Sequence, residues 1–126
     1  MKYYHITSPE KWEKISCEGL KCGSDGYIYL LNTLFPAVVE CVAFNQVFFN
    51  YVDFVLIEIS KEGVLCPIEI DQVAEITRYF NHQFRIAQNL VSCDYLRLNR
   101  RGKLTEQSVH ASIEFLMERI PKVVRS

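Results

Sequence analysis

Five features are missing from this chain of 126 residues, and each absence excludes something. No apolar run is long enough to cross a bilayer as a helix. Residues 1–12 carry charges and Pro9 where a leader would need an apolar stretch, so export is not expected. The five cysteines, at 17, 22, 41, 66 and 93, include no CxxC pair and are odd in number, which argues against zinc and against a full disulfide framework. They point most simply to a reducing cytoplasm. The net charge is only −1, which gives no global reason to bind nucleic acid. Five glycines and four prolines make no collagen-like, low-complexity or linker tract.

What is present is globular. Hydrophobic residues make up 49% and charged residues 23%, and the length suits one domain spanning residues 1–126. At this size a chain buries about two-thirds of its unfolded surface and needs no metal or disulfide to hold a core. The charges are unevenly spread: residues 1–70 sum to −4 and residues 71–126 to +3, and all seven arginines lie in the second part. Arginine forks suit phosphate and carboxylate.

The local pattern predicts α+β with antiparallel sheet. Lys2 to Thr7 reads as a strand. Ser8-Pro9-Glu10 reads as a helix start that ends at Gly19. Gly23 to Gly26 reads as a turn, and Tyr27 to Leu31 as a strand with Tyr27 and Tyr29 on one face. Pro36 to Asn50 is apolar all round and predicts a buried helix. Phe54 to Ser60 alternates as a strand, Lys61 to Gly63 turns, and Val64 to Ile70 is extended. Ala74 to Ile86 is read as strand and Tyr95 to Leu98 as a short strand. Asn99 to Gly102 is read as a turn, and Thr105 caps a last helix over 105–120 that Pro121 stops. Cys41, Cys66 and Cys93 stand in apolar company and read as small buried hydrophobes.

Three segments in order carry a resemblance. They are Tyr3-Tyr4-His5-Ile6-Thr7 with a helix ending in Glu18-Gly19-Leu20, then Gly26-Tyr27-Ile28-Tyr29-Leu30, then Val73 to Ile76 leading through Phe84-Arg85-Ile86 to Tyr95-Leu96. Together they resemble the ADP-ribosyltransferase-like superfamily, in particular small bacterial members related to RNA 2′-phosphotransferases and to the His-Tyr-Glu class. The resemblance covers roughly the first hundred residues as a motif match.

The resemblance implies a split antiparallel β core with flanking helices and a C-terminal helix, binding NAD. It implies that His5 and Thr7 hold the nicotinamide ribose and that Tyr27 and Tyr29 pack on the nicotinamide. The third motif ordinarily supplies a glutamate. Here that region offers His82, Gln83, Arg85 and Gln88 instead, with Glu75 early in the segment. Glutamine orients a hydroxyl but carries no negative charge. By this resemblance the expected catalytic residues are His5, Tyr29 and Gln83, with Gln88 as the alternative to Gln83; Thr7, Tyr27 and Arg85 are expected beside the cofactor, with no metal. The implied activity is transfer of ADP-ribose from NAD to a protein or nucleic-acid acceptor. A nucleotide-binding or protein-interaction module that has lost catalysis is one alternative. An RNA 2′-phosphotransferase-like reaction is another. The basic run Arg97, Arg100, Arg101 and Lys103 reads as a solvated turn, or as a phosphate-contacting rim.

Overall fold

The computed structural model describes residues 2–46, 53–70 and 82–118. The elements, in order, are β1 (Lys2–Thr7), α1 (Pro9–Glu18), β2 (Leu20–Lys21), β3 (Ile28–Leu31), α2 (Pro36–Gln46), β4 (Asp53–Ser60), β5 (Ile68–Ile70), β6 (Gln83–Ile86), β7 (Leu90–Val91), β8 (Leu96–Lys103) and α3 (Glu106–Met117). Six strands form one antiparallel sheet in the order β5-β6-β3-β1-β4-β8, and β2 pairs with β7 in a second, small sheet. The chain is therefore α+β with an open sheet.

The sheet separates two cores, and the pleat assigns each residue to one of them. Ile6, Leu31, Phe54 and Leu56 face α2 and α3, where Val38, Val39, Val42, Val109 and Leu116 complete the packing. Tyr3, Ile28, Leu30, Val55, Ile57 and Ile59 face the other way, under Trp12 and Ile15 of α1. The apolar character of α2 on all sides is explained by its position: Ala37, Val38, Val39, Cys41, Val42 and Ala43 are all buried. Burial also pushes the Cys41 thiol up to about 11, so it stays protonated and inert.

The ends of the helices follow from local chemistry. Ser8 accepts a hydrogen bond from the Lys11 amide at the start of α1. Gly19 ends it with φ +92° and donates its N–H to the Ile15 carbonyl. A Cβ at Gly19 would stand 2.7 Å from the Val91 carbonyl, so the β2–β7 pairing needs glycine there twice over. Thr105 and Ser108 form a reciprocal capping box on α3. The buried Glu58 is held by Lys2 and by Arg97, the latter at 3.6 Å.

Three expectations are corrected. Asn99 to Gly102 is not a turn, because β8 runs unbroken from Leu96 to Lys103 and Tyr95 belongs to a short 3-10 turn before it. Glycine and a run of basic residues mark a turn by composition, but they also suit an exposed edge strand, where charges deter further pairing. Within Tyr27 to Leu31 the strand begins at Ile28, so Tyr27 stands outside it. Cys66 and Cys93 are half-buried rather than buried. Residues 47–50, 74–81 and 119–121, on which parts of three expected elements fall, lie outside the described residues.

Gly102 is the tightest glycine in the sheet, since a Cβ there would come within 2.3 Å of the Phe54 ring. Gly102→Ala should lower the free energy of unfolding by about 1–3 kcal/mol as Phe54 is displaced. Gly23→Ala meets only the Asp25 side chain at 3.4 Å and should be close to neutral. Urea unfolding of both variants checks the contrast; equal midpoints would contradict the packing.

Candidate functional site

A cavity of ligand size opens where two central strands part. β1 pairs with β4 along all six of its residues but meets β3 at one pair only, Tyr4 with Leu31. Beyond Tyr4 the strands diverge, and α1 roofs the gap. The resulting cleft has a volume of about 560 Å³, within the range of small-ligand sites. His5 and Thr7 of β1, Lys11, Lys14 and Glu18 of α1, and Lys21 of β2 supply its charged and polar lining.

His5 spans the opening. Its Nδ1 lies 2.7 Å from the Tyr29 carbonyl, which only accepts, so Nδ1 carries the proton and donates. Nε2 is then left as an acceptor. Burial is the main reason the His5 imidazole titrates below its usual 6.5; the Lys11 charge adds to this and the Tyr29 carbonyl opposes it. A neutral histidine with one bound and one open nitrogen is suited to orient a ligand hydroxyl.

The cleft is cationic. Lys21 lies 3.6 Å from Glu18, whereas Lys11 and Lys14 form no ion pair among the described residues. These lysines were not singled out from the sequence. The signal was available in helical spacing: Lys11, Lys14, Ile15 and Glu18 recur at the intervals that share one helix face.

The residues expected at the site divide between the two faces of the sheet. His5 and Thr7 share the α1 face. Tyr27 and Tyr29 border the cleft, but alternation along β3 turns the Tyr29 ring with Leu31 toward the α2 face. There the Tyr29 hydroxyl donates to Asp25. That bond is the main cause holding the Asp25 carboxyl below its usual range, with the Tyr27 amide second. Arg85 stands opposite Tyr29 and Glu69 in the ladder. Its guanidinium lies 4.1 Å over the Tyr27 ring and 3.5 Å from Glu69. Gln83 is buried opposite Leu31 and lines a small void with Tyr4 and Tyr29. Neither Arg85 nor Gln83 lines the cleft.

Two further polar residues are structural. Gln88 is buried, donates to the Gly63 and Leu90 carbonyls and accepts from the Leu65 amide. That spends its whole amide on backbone. His82 Nδ1 lies 3.1 Å from the Asn32 side-chain oxygen, and burial lowers its titration point. No metal-ligating cluster occurs among the described residues, and no described helix is long and apolar enough to cross a membrane.

Comparison with known proteins finds no matching family model, no matching curated protein and no matching solved structure.

Two outcomes follow. The folded chain holds His5 neutral, so the unfolded chain takes up a proton at higher pH. Stability is then complete above about pH 6.5 and falls as pH drops toward the lowered native value. His5→Gln should flatten this slope, leaving the part due to His82; unfolding free energies at about pH 7.5 and about pH 5.5 measure it, and an unchanged slope would contradict the assignment. Gln88→Leu should destabilise by about 1–3 kcal/mol, because it strands buried backbone groups, and should leave the cleft intact. Thermal unfolding beside a ligand titration checks both halves.

Proposed function

We propose that the cleft binds an anionic nucleotide and that NAD is its ligand. One observation carries the reading: the β1–β3 gap joins a neutral, oriented His5 to Lys11 and Lys14, which form no ion pair among the described residues, in a single cavity of ligand size. The imidazole Nε2 suits a ribose hydroxyl, and the two ammonium groups suit a pyrophosphate. Thr7 adds a hydroxyl beside His5, and Tyr27 a ring at the rim. The ADP-ribosyltransferase-like fold is part of this proposal. It is supported by the divergence of β1 from β3 and by the histidine bridge across it.

The geometry favours binding over rapid transfer. Cleavage of the nicotinamide bond builds positive charge on the ribose, and a preorganised negative group is the usual large contribution to stabilising such charge. The only carboxylate among the described lining residues is Glu18, which Lys21 accompanies. Gln83 sits on the other face of the sheet. A nucleotide-binding module is thus the first reading. ADP-ribosyl transfer is the second, favoured by the grouping of His5, Thr7 and Tyr27 on one cleft.

Calorimetric titration with NAD tests the proposal. The wild type should bind, and His5→Ala and the double variant Lys11→Glu/Lys14→Glu should each weaken binding by about tenfold or more, some 1.4 kcal/mol. Absence of binding by folded wild-type protein would contradict it. Release of free nicotinamide in the same samples would raise transfer above simple binding.

A further inference from the structure

We propose that the outer edge of the sheet, β8, is a binding surface for single-stranded nucleic acid, engaged through its phosphates. The strand carries Arg97, Arg100, Arg101 and Lys103 and no acidic residue. Among the described strands it pairs only with β4, and none of them claims its outer backbone groups. The bulge opposite Leu56 and Ile57 sorts the basic residues. Arg97 and Arg100 stand opposite Glu58 and Leu56 on one face, while Arg101 and Lys103 stand opposite Val55 and Asp53 on the other. Alternate residues of a strand are about 6.7 Å apart, a spacing comparable to that of successive phosphates in an extended chain.

Charge on this edge exceeds what the fold uses. Glu58 is already held by Lys2 as well as by Arg97. Arg100, Arg101 and Lys103 are in no ion pair among the described residues, and Arg100, Arg101 and Lys103 are exposed. Charged side chains keep an edge strand from pairing, and this edge carries four. An aromatic ring stands at its head. Tyr95 immediately precedes β8, packs against Gly63 and remains 39% exposed. Basic residues along a groove or edge with an exposed ring beside them are what single-strand binding needs, since bases stack on rings while cations follow the backbone. An acidic peptide would use the charges but not the ring, so nucleic acid is the better fit. None of Tyr95, Arg97, Arg100, Arg101 and Lys103 lines the cleft, and the inference does not depend on the cleft's ligand.

Fluorescence anisotropy with a short labelled oligo-uridine at low salt tests it. The wild type should bind, and binding should weaken as salt rises. Arg100→Ala/Arg101→Ala should reduce the log–log salt slope by about 1.4, the value for two lost phosphate contacts on a single strand. Tyr95→Ala should weaken binding and leave the slope unchanged. Circular dichroism confirms that the exposed substitutions leave the fold intact. No binding by the folded wild type, or an unchanged slope in the double variant, would overturn the proposal. Equal competition by a polyglutamate peptide would overturn it in favour of an acidic protein partner.

Discussion

The contact on which the site depends is the hydrogen bond from the His5 imidazole to the Tyr29 carbonyl. Ladder hydrogen bonds hold most of the sheet, but β1 and β3 share only one residue pair. A side chain takes over where the ladder stops. The bond satisfies a backbone carbonyl at the opening, fixes the tautomer of His5 and sets the width of the cleft. Its donor is neutral because burial disfavours the charged ring. A cationic imidazole would be a poorer neighbour for Lys11, which acts on the same titration.

The pleat then divides the chemistry. Successive residues of a strand face opposite sides, so His5 and Thr7 meet α1 while Tyr4 and Ile6 meet α2 and α3. The same rule sends the Tyr29 ring, Arg85 and Gln83 away from the lysines of α1. On that side Asp25 holds the Tyr29 hydroxyl and Arg85 meets Glu69, and the Arg85 guanidinium reaches over the ring of Tyr27 at the border of the cleft, so that these residues form a network. This network ties the 23–26 turn to β3 and β6 and so braces one wall of the cleft from behind. Arginine stacked on a ring and close to a carboxylate is well satisfied where it stands.

Much of the architecture was legible in the sequence, because it is written in local chemistry. Ser8 and Pro9 mark the start of α1, Gly19 its end, and Thr105 the start of α3, each through a backbone requirement that a nearby residue meets. The apolar circumference of α2 announced its burial. β8 was misread for a physical reason: arginines and a glycine signal a turn unless the partner strand is known, and only the packing of Phe54 on Gly102 reveals why glycine stands there. The grouping of site residues was legible only in part. Tyr29 lies in β3 while Tyr27 precedes it, and which face of β3 looks toward His5 depends on the β1–β3 register, a long-range property. Gln83 and Gln88 look alike in sequence; one lies in the sheet, the other clasps three backbone groups beside it.

The central claim is that the gap between β1 and β3, beneath α1, is the place where a nucleotide binds. Amide chemical shifts recorded while NAD is added locate binding directly. The account predicts perturbations concentrated at residues 5–8, 11–21 and 27–29, with β8 undisturbed. Perturbations centred instead on Asp25, Glu69 and Arg85, or none at saturating nucleotide, would contradict it.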